Sequence, residues 1–347
     1  MYSITHLRRI SLLFVLSVLC VARLAHADMT AQFLGNTTIV FDDGTDVILT
    51  DGFLSRPGLH NYALGIKIET DTGRVNRALD SARVTSAAAI FVAHAHFDHA
   101  LDAGFVAHKL GARVFGSRST RAVAKAFRRP AGDPALEFTL LHDERTYRVG
   151  NYTVTAIYTP HGWPNRFPGE LRPGFKTPQR MRDFLANENY SFLIRNGRSS
   201  VLVVPGGNYL PGKLWPDRYR ADTVFLGIGG LNSAHRREAG RGNPNFIETY
   251  WSETVDAVQA TTVVPIHWDN FFRELTQGEP FRTPPRIVED VAAVRRTLGK
   301  IVADHNARKD RKICLLWLEE PFQTIDVNGT ALCPADQDVA VLPAPNK

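Results

Sequence analysis

The chain has 347 residues, 44% hydrophobic and 22% charged, a composition that excludes a disordered or collagen-like protein. Its 41 Lys and Arg against 35 Asp and Glu give +6. Arg8, Arg9 and Arg23 fall in the first 27 residues, which hold no acid, so the remaining 320 carry only 38 − 35 = +3. So weak a charge argues against a dedicated nucleic-acid binder, which needs a dense basic face.

In chain order, residues 1–27 read as a secretory signal. Arg8 and Arg9 form a positive start, and Ile10 to Ala22 is a largely apolar run of thirteen. That run is too short to span a bilayer core of ~30 Å. Ala25-His26-Ala27 is an A-x-A cleavage site, so the mature domain is expected at 28–347, periplasmic or secreted, with no stable membrane anchor after cleavage. Thr37–Phe41 and Asp46–Thr50 alternate across Asp43-Gly44 and predict a hairpin. Ala87–Ala93 reads as a buried strand, followed by a helix from Asp98, its N-cap, to Leu110 before Gly111. A strand at Arg113–Phe115 and a helix at Ser119–Phe127 come next. Two more hairpins are expected, Tyr147–Val149 with Tyr152–Tyr158 and Ser191–Ile194 with Ser200–Val204. Val224–Leu226 and Val263–Ile266 read as short buried strands, and Phe246–Val258 and Ile287–Leu298 as amphipathic helices. Gly162–Asn189 is polar and rich in Pro and Gly, the composition of a lid or an insertion. Nothing divides the mature chain into two domains. Cys314 and Cys333 remain after cleavage, a pair that an oxidising compartment would allow to join. The sequence sets no oligomeric state.

The chemistry concentrates after the Ala87–Ala93 strand. His94, His96, Asp98 and His99 fall within six positions in the order His-Ala-His-Phe-Asp-His. On an extended segment His94 and His96 point to one side, so both imidazoles can reach one cation. Imidazole and carboxylate at this density suit zinc or a similar borderline metal. His161 follows the Tyr152–Tyr158 strand and His267 the Val263–Ile266 strand, each at the C-terminal end where α/β sites collect.

This order resembles the metallo-β-lactamase-fold hydrolases, with His-x-His-x-Asp-His as their signature. The similarity extends to Ile48-Leu49-Thr50-Asp51, Thr159-Pro160-His161, Phe225 to Gly230 and Pro265 to Asp269. Within the superfamily these segments are most similar to the ascorbate-6-phosphate lactonase and N-acyl-phosphatidylethanolamine phospholipase D-like branch. The resemblance implies an α/β protein, an αββα sandwich with its site at the edge between two sheets. It implies that His94, His96 and His161 hold one metal and that Asp98, His99 and His267 hold a second. Asp51 is then either a support for the site or a plain turn residue before Gly52. Many members carry a carboxylate bridging both metals where this chain has Gly207, with Asn208 beside it. The cofactor expected is therefore Zn2+, one ion tight and the second weaker, with manganese or iron as other divalent candidates.

The resemblance implies a metal-dependent hydrolase using a zinc-bound hydroxide on an ester, lactone or phosphodiester, with a small-molecule or lipid-like substrate. Asp98 would orient the nucleophile and relay its proton, and His267 or the second metal would stabilise the leaving group. The alternatives are a β-lactam hydrolase, whose ligand set can be the same three histidines plus Asp-His-His, and a non-catalytic metal- or ligand-binding protein on this fold. Arg166, Arg172, Lys176, Arg180 and Arg182 in the lid segment are either substrate contacts or a solvated basic loop. Arg236, Arg237 and Arg241, expected in another loop, share that ambiguity. Trp163 and Trp268 either wall the pocket or pack beneath it. Glu253 and His60 are expected to face solvent.

Overall fold

In the computed structural model of the protein, residues 29–128, 130–162, 165–197, 199–327, 333 and 338–341 are described. The signal segment 1–27 and Trp163 lie outside the described residues. The first half contributes β1 (Thr30–Phe33), β2 (Ile39–Asp42), β3 (Val47–Thr50), β4 (Ala89–Phe91), β5 (Arg113–Gly116) and β6 (Phe138–Leu140). The second contributes β7 (Thr146–Val149), β8 (Tyr152–Tyr158), β9 (Tyr190–Asn196), β10 (Ser199–Val204), β11 (Thr223–Gly227) and β12 (Thr262–Ile266). β13 (Cys314–Trp317), β14 (Gln323–Asp326) and β15 (Val339–Val341) close the chain.

One sheet has seven strands in the order β14-β1-β2-β3-β4-β5-β6, the other eight in the order β15-β13-β12-β11-β10-β9-β8-β7. The predicted hairpins form as antiparallel pairs, while β3 to β6 and β10 to β13 run parallel.

Side-chain alternation sorts the layers. On β4, Ala89 and Phe91 join the core between the sheets, while Ile90 joins the outer core under the helices. Phe41, Phe192, Phe225 and Val264 meet Phe91 in the central layer. Helices Thr72–Ala82, Ala103–Leu110 and Arg118–Ala126 cover the seven-stranded sheet, and Leu231–Ala239, Phe246–Trp251 and Val291–Arg308 cover the other. Each fully buried Phe or Leu contributes roughly 1.5–3 kcal/mol of hydrophobic stabilisation. The result is the αββα sandwich expected. Cys314 and Cys333 form a disulfide, and among the described residues no helix is long and apolar enough to cross a membrane.

Several expectations are corrected. The helix from Asp98 to Leu110 is two, Phe97–Ala100 and Ala103–Leu110. Asp98 lies inside the first and His96 holds the N-cap position, because the Asp98 carboxylate is directed at His99 and His267 instead of at backbone N–H groups. Between the helices, Asp102 turns its carboxylate to accept from Leu54 N, Ser55 N and Ser55 Oγ. The helix expected at Ile287–Leu298 starts at Val291, where the Asp290 side chain caps Ala293 N, and runs on to Arg308. Arg236 and Arg237 lie on the helix Leu231–Ala239 instead of in a loop. Glu253 accepts from Gly212 N at 2.8 Å. His60 is exposed as expected, on a short helix Leu59–Ala63.

Candidate metal centre

Strand order brings the candidate ligands together. β4 ends at Phe91 and delivers His94 and His96; β8, in the other sheet, ends just before His161. Their ligand atoms and those of Asp98, His99 and His267 form two groups, His94 with His96 and His161, and Asp98 with His99 and His267. Within each group the atoms lie within 4.8 Å of one another. The groups are adjacent, with the His94 and His99 ring centroids 3.9 Å apart.

The first group presents lone pairs. His96 donates from Nε2 to the Phe167 carbonyl at 3.1 Å, and His161 from Nδ1 to the Gly162 carbonyl at 2.6 Å. The His96 Nδ1 and the His161 Nε2 are therefore left as acceptors. His94 Nε2 stands 3.1 Å from His96 Nδ1, while its own buried Nδ1 meets no partner. The facing nitrogens His94 Nε2 and His96 Nδ1 are spaced as two ligands of one cation would be. Two ligands at ~2.05 Å from a tetrahedral ion stand about 3.3 Å apart, close to this spacing. Burial holds His94 and His96 below the ordinary imidazole range and pushes His161 down to about 3. All three are neutral at pH 7, as ligands must be.

The second group carries the charge. Burial works against the Asp98 carboxylate, yet His99 and His267 hold it well below the usual carboxylate range. Its Oδ2 is 3.4 Å from His267 Nε2 and 3.7 Å from His99 Nε2. Asp51 settles in favour of support. Its Oδ2 accepts from His99 Nδ1 at 2.9 Å and from Thr37 Oγ1 at 2.5 Å, and its Oδ1 from Ala93 N at 2.8 Å. A carboxylate behind a ligand imidazole fixes the tautomer and raises its basicity. Against the burial penalty, Asp51 and Asp98 raise the His99 pKa. Gly229 packs on the His267 ring, where a Cβ would stand 2.4 Å from Nδ1. No larger residue fits there without displacing the ligand.

Three expectations meet their surroundings here. Neither Gly206 nor Gly207 has a left-handed φ, and a Cβ on Gly207 would lie 3.3 Å from the Gly229 carbonyl. Asn208 is turned away, donating to the His161 carbonyl at 3.1 Å and accepting from Tyr209 N. Trp268 packs beneath, its Nε1 donating to the Pro265 carbonyl and its ring against Phe281 and Trp317. The lid segment is anchored by buried Leu171, Met181, Phe184 and Ala186, while Arg166, Arg172, Lys176, Arg180 and Arg182 are exposed. Asn36, Thr37, Arg56 and Asp269, which touch the second group or its supports, carry no sequence signal of that role.

A family profile for the beta-lactamase superfamily domain matches residues 47–268, more than half of the chain and all six candidate ligands. The chain belongs to the beta-lactamase superfamily. Its His and Asp groups fit a divalent metal site. No curated protein matches the chain. Among solved structures it is similar to a metallo hydrolase from the archaeon Ignicoccus hospitalis, at 12% identity and TM-score 0.45 over 86% of this chain and 98% of the other. It is similar to CmlA, a diiron beta-hydroxylase from Streptomyces venezuelae, at 16% identity and TM-score 0.47 over 86% and 54%. A metallo-beta-lactamase fold protein from Bacillus subtilis gives 14% identity and TM-score 0.40 over 69% and 86%.

Proposed function

We propose that this superfamily member is an exported zinc hydrolase of an ester, lactone or phosphodiester. The observation that carries it is the convergence of six buried or half-buried ligand groups, three neutral imidazoles beside a supported Asp-His-His set. When bound, a divalent ion there lowers the pKa of a coordinated water toward ~7 and polarises the electrophile. The chain's own groups do the rest. Asp98 Oδ2 lies 3.4 Å from His267 Nε2, so both present ligand atoms to one point, where Asp98 would orient the nucleophile. Asp51 holds His99 in one orientation. His267, presented on a left-handed backbone at φ 60, or the second ion would stabilise the leaving group.

An aromatic ladder favours the lipid-like end of the substrate range. From His267 the rings of Phe271, Phe272 and Tyr62 follow at centroid distances of 5.8, 4.6 and 6.4 Å. Leu59, Leu64 and Ile66, in the same segment as Tyr62, are exposed. Exposed apolar side chains beside the rings suit a hydrocarbon chain. The exposed lid cations have no seat among the ligand groups. Export rests on the 1–27 signal and on the Cys314–Cys333 disulfide, which suits an oxidising compartment. One feature favours the β-lactam alternative: Asp98 is the sole carboxylate in the two ligand groups.

The test is metal analysis of purified protein with ester, lactone, phosphodiester and cephalosporin reporters, the esters in a chain-length series. Bound zinc with turnover that rises with chain length is expected. Cephalosporin turnover alone would transfer the assignment to the β-lactam alternative, and protein that binds no metal would end it.

A further inference from the structure

The second group is gripped by a buried network that ligand chemistry does not require. Arg56 and Asp269, with side chains 1% exposed, pair at 2.7 Å. The other Asp269 oxygen accepts from Asn36 N at 2.7 Å. The Asn36 side-chain amide donates to the Asp98 carbonyl at 2.5 Å, and the Asn36 backbone carbonyl accepts from His267 N at 2.6 Å. One residue thus ties the backbones of two members of the group. Its neighbour Thr37 reaches the third, with Oγ1 3.0 Å from His99 Nδ1.

The backbone around this network is unusual. Asn36, Asp51, Arg56 and His267 have φ of 51°, 52°, 46° and 60°, in a region that residues with side chains seldom adopt. Such conformations persist only where the surroundings over-determine them. Gly35 is part of the fit, since a Cβ there would stand 2.1 Å from Arg56 Nη2. Buried Asn36 Oδ1 and Arg56 Nε meet no protein partner, so maximal hydrogen bonding is not what selects the arrangement. Among the described bonds the network makes none to His94, His96 or His161.

We propose that Asn36, locked by the Arg56–Asp269 pair, is a positioning residue that sets the placement of Asp98 against His267, and with it the affinity of the second group for its ion. The proposal rests on the metal-centre assignment above. Asn36→Gly isolates the side chain, because glycine adopts this φ freely and keeps both backbone bonds. Asn36→Asp keeps the shape and the tolerance of left-handed φ, but sets an acceptor where the donor stood.

The experiment titrates metal-free wild type and both variants with Zn2+ and Co2+ against a competing chelator, alongside thermal melting. Wild type should take up two equivalents, the second more weakly. In both variants the second equivalent should weaken by about 10–100-fold, with the first equivalent and its cobalt spectrum unchanged. A second equivalent bound as tightly as in wild type overturns the inference alone. So does a parallel loss of both equivalents with a lower melting temperature, which would make Asn36 merely structural. Wild type that takes up no metal overturns the metal-centre assignment and the inference together.

Discussion

His94, His96 and His161 lean on the protein through single contacts to loop carbonyls or through none, whereas Asp98, His99 and His267 are backed by Asp51, Thr37, Asn36 and a buried ion pair. Charge explains the contrast. Three imidazoles can be buried neutral and need only be aimed. A buried carboxylate must be compensated, and each group that compensates it is itself polar and must be satisfied in turn. The second group therefore carries its own polar interior, while the first sits at the end of an apolar strand.

The largest expected effect tests the first group. His94→Ala leaves two imidazoles for an ion that wants at least three protein ligands. Most bound metal and most turnover should disappear; full zinc content and full turnover in the purified variant would overturn the assignment. His60→Ala, on an exposed turn of helix, is the control and should change neither.

Next, Asp269→Asn keeps the shape behind the second group but strands the Arg56 guanidinium in the interior. Removing one partner of a buried pair typically costs about 3–5 kcal/mol, read as a lower urea midpoint at unchanged m. A loss below ~1 kcal/mol would mean that the ion pair is not what braces this side.

The smallest effect is on pH. Burial depresses His94, His96 and His161 in the folded chain, the last to about 3, so between there and ~6.5 the unfolded chain binds more protons and stability falls with pH. From pH 6.5 to 5 His161 alone costs the metal-free protein about 2 kcal/mol. Asp102, pushed up to about 6 by burial, opposes this by roughly 1 kcal/mol, and His99, raised by Asp51 and Asp98 against its burial, opposes it too. Denaturant unfolding of chelator-treated protein should show lower stability at pH 5 than at pH 7. Equal or greater stability at pH 5 would contradict the neutral-imidazole account.

What the sequence disclosed follows the range of each interaction. The six ligand candidates were legible because four of them crowd one strand end and the other two each follow the C-terminal end of a buried strand, β8 and β12. The hairpins were legible from alternation around Asp43-Gly44 and Gly150-Asn151. The roles of Asn36, Arg56 and Asp269 were not, since Asn36 meets Asp269 across 233 positions, a pairing that no local pattern shows. Asp98 was misassigned as an N-cap because an aspartate before a helix has two uses, and only the fold decides between backbone and imidazole. The helix at Val291–Arg308 was misplaced for a similar reason: the apolar period runs back to Ile287, but the Asp290 cap sets the start.

Each triad is assembled from both sheets: β4 and the turn after it belong to one, β8 and β12 to the other. An ion held by either triad would fasten the two halves of the sandwich along one edge, like a clasp on a book. Ligand binding to the native state alone adds about 2.7 kcal/mol at a hundredfold excess over the dissociation constant. Loss of the ion would release that edge, and the seam between the sheets is where a metal-starved molecule would first open to proteases.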